Sequence, residues 1–296
     1  MHAIAQGLRA VLRIAAPAVL LKAEAIVSTD DLVHYLGRGR HHGKVSDLAY
    51  HNTLMVHIWS MLASRDVRLA VQALRELPPV PTTTAWICYL RCQDDIGWAI
   101  DDADAAAVGL DGFAHRAFLS SFFTGEFPGS FARGLVFQAN PLTGDRRVSG
   151  MAASLAGLES AERAGDAAAV ELAVRRIQLA YAIVLGWGGI PVLWMGDEIG
   201  LPSDWAWASE PGHHDDGRWS HRPRMDESRK GERHSAGTVA KRLFTGFRAL
   251  VRARSSLVQL HAATQSEVLA DHRVTDGQDG NLGLAPYQPM WIINRP

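Results

Sequence analysis

The chain has 296 residues, 47% of them hydrophobic, and its 30 lysines and arginines nearly balance its 31 aspartates and glutamates. This composition is typical of a globular protein with a large apolar core. The net charge of −1 gives no electrostatic reason to expect a nucleic-acid partner. The only two cysteines, Cys88 and Cys92, exclude a disulfide framework and the common four-ligand zinc sites. We therefore predict free thiols, a cytoplasmic protein, and neither a metal nor another cofactor.

One apolar segment, residues 179–195, carries no charge and approaches the length of a membrane-spanning helix. The glycines and the proline of residues 186–191 divide it, so a helix, a turn and a buried strand are a better interpretation. At the N-terminus an Ala-Glu-Ala sequence resembles a signal cleavage site. Arg9 and Arg13 interrupt the apolar run before it, which instead forms an amphipathic helix. We predict no membrane partner.

The first half of the chain alternates helical and strand patterns. The first helix ends before Pro17, and the nearly continuous apolar run at 18–27 is typical of a strand buried on both faces in a parallel sheet. We interpret the basic segment Gly37-Arg-Gly-Arg-His-His-Gly-Lys44 as a solvated turn. Residues 47–62 could hold a strand and the start of a helix, and 85–92 form the second clear strand.

The second half contains fewer long apolar runs. Residues 96–150 alternate short helical patterns with glycine and proline turns, which predicts an irregular insertion. A long helix then leads to a third clear strand at 190–195, and a last helix is predicted to begin at Ser235. We expect an α/β fold with about four parallel strands, half of a TIM (β/α)8 barrel. The predicted units are the partial barrel (1–95), the insertion (96–150), the rest of the partial barrel (151–258) and a C-terminal tail (259–296).

Three predicted strands end in acidic residues: Glu24, then Asp94 and Asp95, then Asp197 and Glu198. In βα architectures catalytic side chains collect at the carboxyl ends of strands. Converging carboxylates could bind a metal, transfer protons or stabilise a cationic transition state, which is the central requirement of glycoside chemistry. For each acid alone, a helix cap or a structural ion pair is the competing interpretation. Spacing alone does not name the reaction.

Several motifs resemble glycoside hydrolase family 13, in particular its amylosucrase and sucrose hydrolase branch. The resemblance extends from about residue 3 to about residue 258, with a partial return in Pro286-Tyr-Gln-Pro-Met-Trp291. The matching segments are Lys22-Ala-Glu-Ala-Ile-Val27, Gln93-Asp-Asp-Ile-Gly-Trp98, Gly129-Ser-Phe-Ala-Arg-Gly134, Asn140-Pro-Leu-Thr-Gly-Asp145, Arg147-Val-Ser-Gly150, Gly196-Asp-Glu-Ile-Gly200 and Arg218-Trp-Ser-His-Arg-Pro-Arg224.

The resemblance implies retaining glucosyl transfer or hydrolysis on sucrose or α-glucan. By motif match, Glu24 corresponds to the general acid/base after the fifth barrel strand and Asp94 to the transition-state stabiliser after the seventh. Arg218 corresponds to an arginine that closes the glucose pocket through a salt bridge. The other substrate-binding positions, including the one that departs from the family pattern, are Gln93, Asp95, Arg116 and Arg147. At Gln93 the family has a histidine that donates a hydrogen bond to bound glucose; glutamine can donate but cannot be cationic.

The resemblance also implies that part of the family's catalytic barrel is missing from this chain. The family's nucleophilic aspartate lies after the fourth strand in an Arg-x-Asp-Ala context, and this motif is absent from the chain. We expect the chain to resemble the second half of an enzyme, with no nucleophile and with the partner of the pocket-closing arginine lost. One alternative is an amylosucrase-like enzyme completed by another chain that supplies the N-terminal barrel half. A second is a non-catalytic remnant that serves as a carbohydrate-binding or interaction module, and a third is an unrelated metalloenzyme.

Overall fold

The computed structural model describes residues 2–25, 27, 29–268, 287 and 289. Its strands form a four-stranded parallel sheet in the order β1-β2-β3-β6 and a separate antiparallel pair, β4-β5. The strands are β1 (Lys22–Ala23), β2 (Leu48–Tyr50), β3 (Ala85–Cys88), β4 (Leu135–Ala139), β5 (Arg146–Ser149) and β6 (Ile190–Pro191).

The helices surround this parallel sheet and separate its strands in sequence, which is the βα alternation that the sequence predicts. They are α1 (His2–Ala15), α2 (Thr29–Leu36), α3 (Asn52–Ser64), α4 (Arg68–Arg75), α5 (Asp102–Ala107), α6 (Gly112–Thr124), α7 (Ala152–Leu155), α8 (Leu158–Ala164), α9 (Ala167–Gly186), α10 (Glu227–Glu232) and α11 (Val239–Ser255).

The expected parallel sheet is confirmed, and its strands are in sequential order. In register, Lys22 lies opposite Leu48, Leu48 opposite Ala85, and Ile87 opposite Ile190. The described sheet is open, with β1 and β6 as its edges. The described fold is therefore mixed α/β. That its open sheet corresponds to half of a closed (β/α)8 barrel remains a prediction.

The strands are shorter than their apolar patterns predict. The first predicted strand, 18–27, contributes only Lys22 and Ala23 to the ladder, and the third, 190–195, contributes only Ile190 and Pro191. Both are edge strands, so each has a neighbour on one side only. Proline also lacks the N–H that a ladder requires. The apolar runs therefore predicted neither strand length nor burial on both faces here, since Val19 and Leu20 are 41% and 55% exposed and Met195 is 63% exposed.

The core lies between the sheet and the helices α3 and α9. Eleven of the thirteen residues of α3 are buried, so the helix has no solvated face and its pattern is not amphipathic. Trp59 is fully buried, and its indole Nε1–H donates to the Leu90 carbonyl oxygen over 2.9 Å. This bond ties α3 to the segment after β3 and satisfies the one polar atom of a large apolar side chain.

The predicted insertion contains α5, α6 and the antiparallel pair β4-β5. A short antiparallel bridge joins Ile96 to Val148, with N–H···O distances of 2.8 and 3.1 Å in the two directions. This bridge attaches β5 to the chain immediately after Asp95. The insertion is thereby fixed at the carboxyl end of β3, where the candidate site lies.

The first helix has no buried residue. Its apolar stripe faces solvent, since Ile4, Leu8 and Val11 are 72%, 60% and 63% exposed. Polar contacts attach the other side of the helix: Arg9 and Arg13 both donate to Asp47 Oδ1, over 2.6 and 2.7 Å. The amphipathic pattern predicted the helix correctly, although nothing in the described structure covers its apolar face.

The last helix begins three residues later than its sequence predicts. The last helix is capped by Thr238, whose hydroxyl accepts from the Lys241 N–H over 3.2 Å, and not by Ser235. The expectation at Ser235 was wrong because two candidate caps lie three residues apart and only the Thr238 backbone turns into the helix.

No helix in the described part of the chain is long and apolar enough to span a membrane.

Candidate functional site

The site is built at the carboxyl ends of the parallel strands. Glu24 directly follows β1, and Gln93, Asp94 and Asp95 follow β3 after a turn. Parallel strands bring these ends to one edge of the sheet. The third contributor is the segment between β6 and α10, which carries Asp216, Arg218 and two further basic side chains.

Asp94 is surrounded by nitrogen donors. Arg218 Nη1 donates to its Oδ1 over 2.9 Å, and Arg222 Nη2 approaches the same oxygen at 3.5 Å. Gln93 Nε2 donates to Oδ2 over 3.2 Å. The carboxylate is one third exposed, so it can be reached from solvent while its orientation is fixed.

A second carboxylate orients Arg218. Asp216 accepts from Arg218 Nε and Nη2, each over 2.9 Å, and the guanidinium also lies over the ring of Phe137 with its Cζ 4.8 Å from the ring centroid. Hydrogen bonds from Arg218 lower the pKa of Asp216, and Asp216 in turn raises the pKa of Arg218. The expectation that Arg218 lacks a salt-bridge partner is wrong in this structure, because Asp216 and Asp94 both bind it.

The backbone of Gln93 is also held by hydrogen bonds. Its carbonyl oxygen accepts from Arg222 Nε over 2.8 Å and from His221 Nε2 at 2.9 Å. Burial, as the largest cause, lowers the pKa of His221 to about 4, so the ring is neutral at pH 7. Because the neutral His221 ring adds no charge, the positive charge around Asp94 comes from Arg218 and Arg222.

Glu24 is the most exposed of the predicted catalytic residues, with 58% of its side chain accessible. Lys22 Nζ lies 2.8 Å from Glu24 Oε2 and donates to the Tyr50 hydroxyl over 2.7 Å. These hydrogen bonds from Lys22, first to Glu24 and then to Tyr50, raise the pKa of Lys22. The Lys22 ammonium therefore stays charged and holds both the Glu24 carboxyl group and the Tyr50 hydroxyl.

The Cys92 thiol lies two residues before Asp94 in sequence. Burial is the largest cause of its altered pKa and raises it, the hydrogen bond from the Asp94 amide lowers it, and the charges of Asp94 and Glu24 add to the rise. Within the described residues no hydrogen bond or ion pair joins Glu24 directly to Asp94.

Asp95, Arg147 and Arg116 lie on the insertion side. Arg147 Nη1 donates to Asp95 Oδ2 over 3.3 Å. Arg147 and Arg116 both line an open cavity of about 760 Å³, together with Trp98, Asn140 and Asp145. Arg116 donates to Asp102 over 2.6 Å and lies 3.7 Å from Asp145. The structure thus brings six of the seven predicted site residues into two groups, one around Asp94 and one along the insertion, while Glu24 contacts Lys22 and neither group.

The acids after β6 have a structural part in the fold. Asp197 is fully buried and accepts from Arg91 Nε over 2.8 and 3.1 Å at its two oxygens, and the Tyr181 hydroxyl donates to it as well. Glu198 accepts from the Gly196 N–H over 2.7 Å. For this strand end the competing interpretation, a structural ion pair, is the correct one.

Sequence reasoning missed three members of the Asp94 cluster: Asp216, His221 and Arg222. Asp216 carries no motif of its own, yet it is the main partner of Arg218. The usable signal was local, since Asp216 lies two residues before Arg218 and Arg222 four residues after it. In the described part of the chain no group of three histidine, cysteine or acidic side chains has the arrangement of a metal site.

No protein-family model matches the chain. Among solved structures, the fold is similar to sucrose 6F-phosphate phosphorylase from Thermoanaerobacter thermosaccharolyticum, with 15% sequence identity and a TM-score of 0.47. The match covers 72% of this chain and 37% of that chain, so this chain spans little more than a third of the length of that protein. At this identity, side-chain roles do not transfer from one chain to the other.

Proposed function

We propose that the chain forms the second half of a glycoside hydrolase family 13 catalytic barrel. Its substrate class would be sucrose or α-glucan, and its reaction retaining glucosyl transfer or hydrolysis of the amylosucrase type. The observation that supports this best is the fixed, solvent-accessible carboxylate of Asp94, held by Arg218 at the carboxyl end of β3. A glucosyl cation needs such a carboxylate beside it.

In this proposal Asp94 stabilises the oxocarbenium-like transition state, while Arg218 and Arg222 fix its orientation. Gln93 Nε2 already donates to Asp94 over 3.2 Å, and the same amide would donate to a sugar hydroxyl. Gln93 cannot add a positive charge as histidine could, so the two arginines are the cations next to the bound sugar.

Glu24 is the proposed general acid/base. A general acid must reach the glycosidic oxygen with its proton, yet the Glu24 carboxyl group already contacts the Lys22 ammonium at 2.8 Å. We infer that a bound glycosidic oxygen must displace the Lys22 contact before Glu24 can donate. The 58% exposure of the Glu24 side chain leaves room for that exchange.

The subsites for the rest of the substrate are proposed along the insertion. The cavity of about 760 Å³ lined by Arg116 and Arg147 can hold more than one sugar ring. Its arginines are paired with Asp102 and Asp95, so it presents donors and acceptors together. That mixture suits the hydroxyl groups of a neutral sugar.

The nucleophile is the part that this proposal assigns to a partner. Asp94 and Asp216 already hold arginines, and no Arg-x-Asp-Ala motif is present. We propose that a barrel half carrying that aspartate supplies it. The alternative is a carbohydrate-binding or interaction module without turnover, which is supported by the engagement of both Asp94 oxygens with donors.

The first experiment measures sucrose binding to the purified chain by saturation-transfer NMR, with Asp94→Asn as the test variant. Asp215→Asn is the matched control because Asp215 is 87% exposed and lies outside the cluster. We expect the sucrose signal to disappear in Asp94→Asn and to persist in Asp215→Asn. Equal signals in both variants would contradict the assignment of the site.

The second experiment separates an enzyme from a binding module. Fructose release from sucrose is measured for the chain alone and after mixing with a barrel half that carries Arg-x-Asp-Ala. We expect release only in the mixture, and a loss of about 10²–10⁴-fold in Glu24→Gln, the usual contribution of general acid catalysis. Glu227→Gln, on the exposed surface of α10, is the control. Binding without release in the mixture would support the module.

A further inference from the structure

A basic cleft lies between α1 and the loop before β2, away from the residues assigned above. It has a volume of about 690 Å³, and its charged or titratable lining residues are Arg9, Arg13, Arg40, His41 and Lys44. Four of its nine lining residues are lysine or arginine, and none is aspartate or glutamate.

The charges in the cleft are not balanced. Arg9 and Arg13 share a single carboxylate, since both donate to Asp47 Oδ1. Arg40 and Lys44 have no carboxylate partner among the described side chains; Lys44 Nζ reaches only the Arg40 carbonyl oxygen, at 3.4 Å. Four cations thus face one anion within a small volume. Like charges held this close repel one another, and an anion between them would relieve that repulsion.

His41 provides a second observation. Its Nε2 accepts from Arg40 Nε over 3.1 Å, which places the proton of the neutral ring on Nδ1. That Nδ1 is shielded from solvent and has no hydrogen-bond partner in the described structure. Partial burial first, then the charges of Arg40, His2 and Lys44, lower the pKa of His41. His41 thus reports a positive local field at the cleft, which an anion bound there would offset.

The shape of the cleft indicates the size of the ligand. The cations surround a concavity whose remaining wall includes Ala3 and Ala10 on α1, whereas a nucleic-acid backbone requires an extended basic stripe. Guanidinium groups match the geometry of phosphate oxygens and bind them in pairs. We propose that this cleft binds a small phosphate-bearing anion, either a phosphate ester or inorganic pyrophosphate, through the exposed cations Arg40 and Lys44.

The experiment uses the full chain and isothermal titration calorimetry at low salt with two probes, inorganic pyrophosphate and glycerol 2-phosphate. The test variant is Arg40→Gln with Lys44→Gln. The control variant, Arg163→Gln with Arg252→Gln, removes the same two charges from exposed positions elsewhere. We expect the test variant to weaken binding by about tenfold or more, since charged hydrogen bonds are lost, and the control to change it less than about twofold.

The two probes distinguish the source of the phosphate. Tighter binding of glycerol 2-phosphate would indicate an ester, and tighter binding of pyrophosphate an inorganic ligand. Either result supports the proposal if the test variant weakens that binding by about tenfold or more. The proposal is overturned if neither probe binds, if the test and control variants bind equally, or if a short DNA duplex binds more tightly than both probes.

Discussion

Arg218 and Asp94 form an ion pair of 2.9 Å although 124 residues separate them in sequence. The pair joins the segment after β6 to the carboxyl end of β3, and Asp216 holds the same guanidinium from the other side. Both members are about one third exposed, so solvent screens the pair and its contribution to folding is small. Its consequence is geometric: it fixes where the carboxylate of Asp94 points.

Replacing Arg218 with lysine should weaken the site with little effect on the fold. A lysine presents one ammonium and cannot hold Asp216 through two bonds while donating to Asp94. We expect sucrose affinity to fall by about tenfold, whereas the free energy of unfolding changes by less than about 1 kcal/mol. NMR titration and urea denaturation measure the two quantities. Arg252→Lys is the control. Unchanged sucrose affinity in Arg218→Lys would contradict the proposed role of the Arg218 guanidinium group in holding Asp216 and Asp94 together.

Removing the charge of Asp197 should destabilise the protein strongly. The Arg91 guanidinium is 1% exposed, so Asp197→Asn leaves a buried charge without its counterion. We expect a loss of about 3–5 kcal/mol of unfolding free energy, measured by urea denaturation. The exposed Lys230–Glu227 pair gives the comparison: Glu227→Gln should cost less than about 1 kcal/mol. Similar losses in the two variants would show that the burial of the Arg91–Asp197 pair is energetically unimportant.

Acid should unfold the protein through its buried histidines. Burial is the largest cause that lowers the pKa of His51 to about 3 and that of His57 to about 4, from 6.5 in the unfolded chain. The unfolded state binds these protons first, so stability is full above pH 6.5 and falls as the pH drops toward 4. Each histidine contributes up to about 1.4 kcal/mol per pH unit in that window.

The test is the unfolding free energy of His57→Gln compared with the wild type at several pH values between 4.5 and 7. We expect the variant to be less stable at pH 7, because a buried position loses its packing, and to show a shallower decline toward acid. His214→Gln is the control, since His214 is exposed. A decline as steep as that of the wild type would mean that other groups carry the acid sensitivity.

Two glycines with positive φ angles should respond differently to alanine. Gly189 has φ of +119°, and a Cβ there would lie 2.6 Å from the Trp86 carbonyl oxygen. Gly165 has φ of +67° and open space around the position of its Cβ. Gly165→Ala should cost about 1 kcal/mol from backbone strain alone, and Gly189→Ala about 3 kcal/mol or more. Thermal unfolding of both variants measures the difference, and equal costs would exclude the close contact at β3 as its source.

The parallel sheet could be predicted because its signals are local. Apolar runs separated by helical patterns indicated βα units, and the segment 47–62 resolved into β2 and α3 as suggested. The lengths of β1 and β6 could not be predicted, since a ladder depends on a neighbouring strand that lies far away in sequence. The burial of α3 from all sides, by contrast, has a signature in its own residues, because a helix that is apolar around its whole circumference is typically buried.

The candidate site was predictable only where a motif marks it. Asp94 and Arg218 were found through their motifs, and the structure brings them into contact. Asp216 was missed because its neighbours in sequence are polar and its partner is defined by the loop conformation. The roles proposed for Glu24 and Asp94 in catalysis remain predictions.

The apolar stripe of α1 has a consequence for handling the protein. Ile4, Leu8 and Val11 face water, and the outer N–H and C=O groups of the edge strand β1 have no neighbouring strand in the described sheet. Exposed apolar patches and unpaired strand edges favour association with other chains. Yield and monodispersity during purification will therefore depend on protein concentration and on co-expressed partners, and a chain that covers this stripe should be recognisable by the rise in melting temperature that it produces.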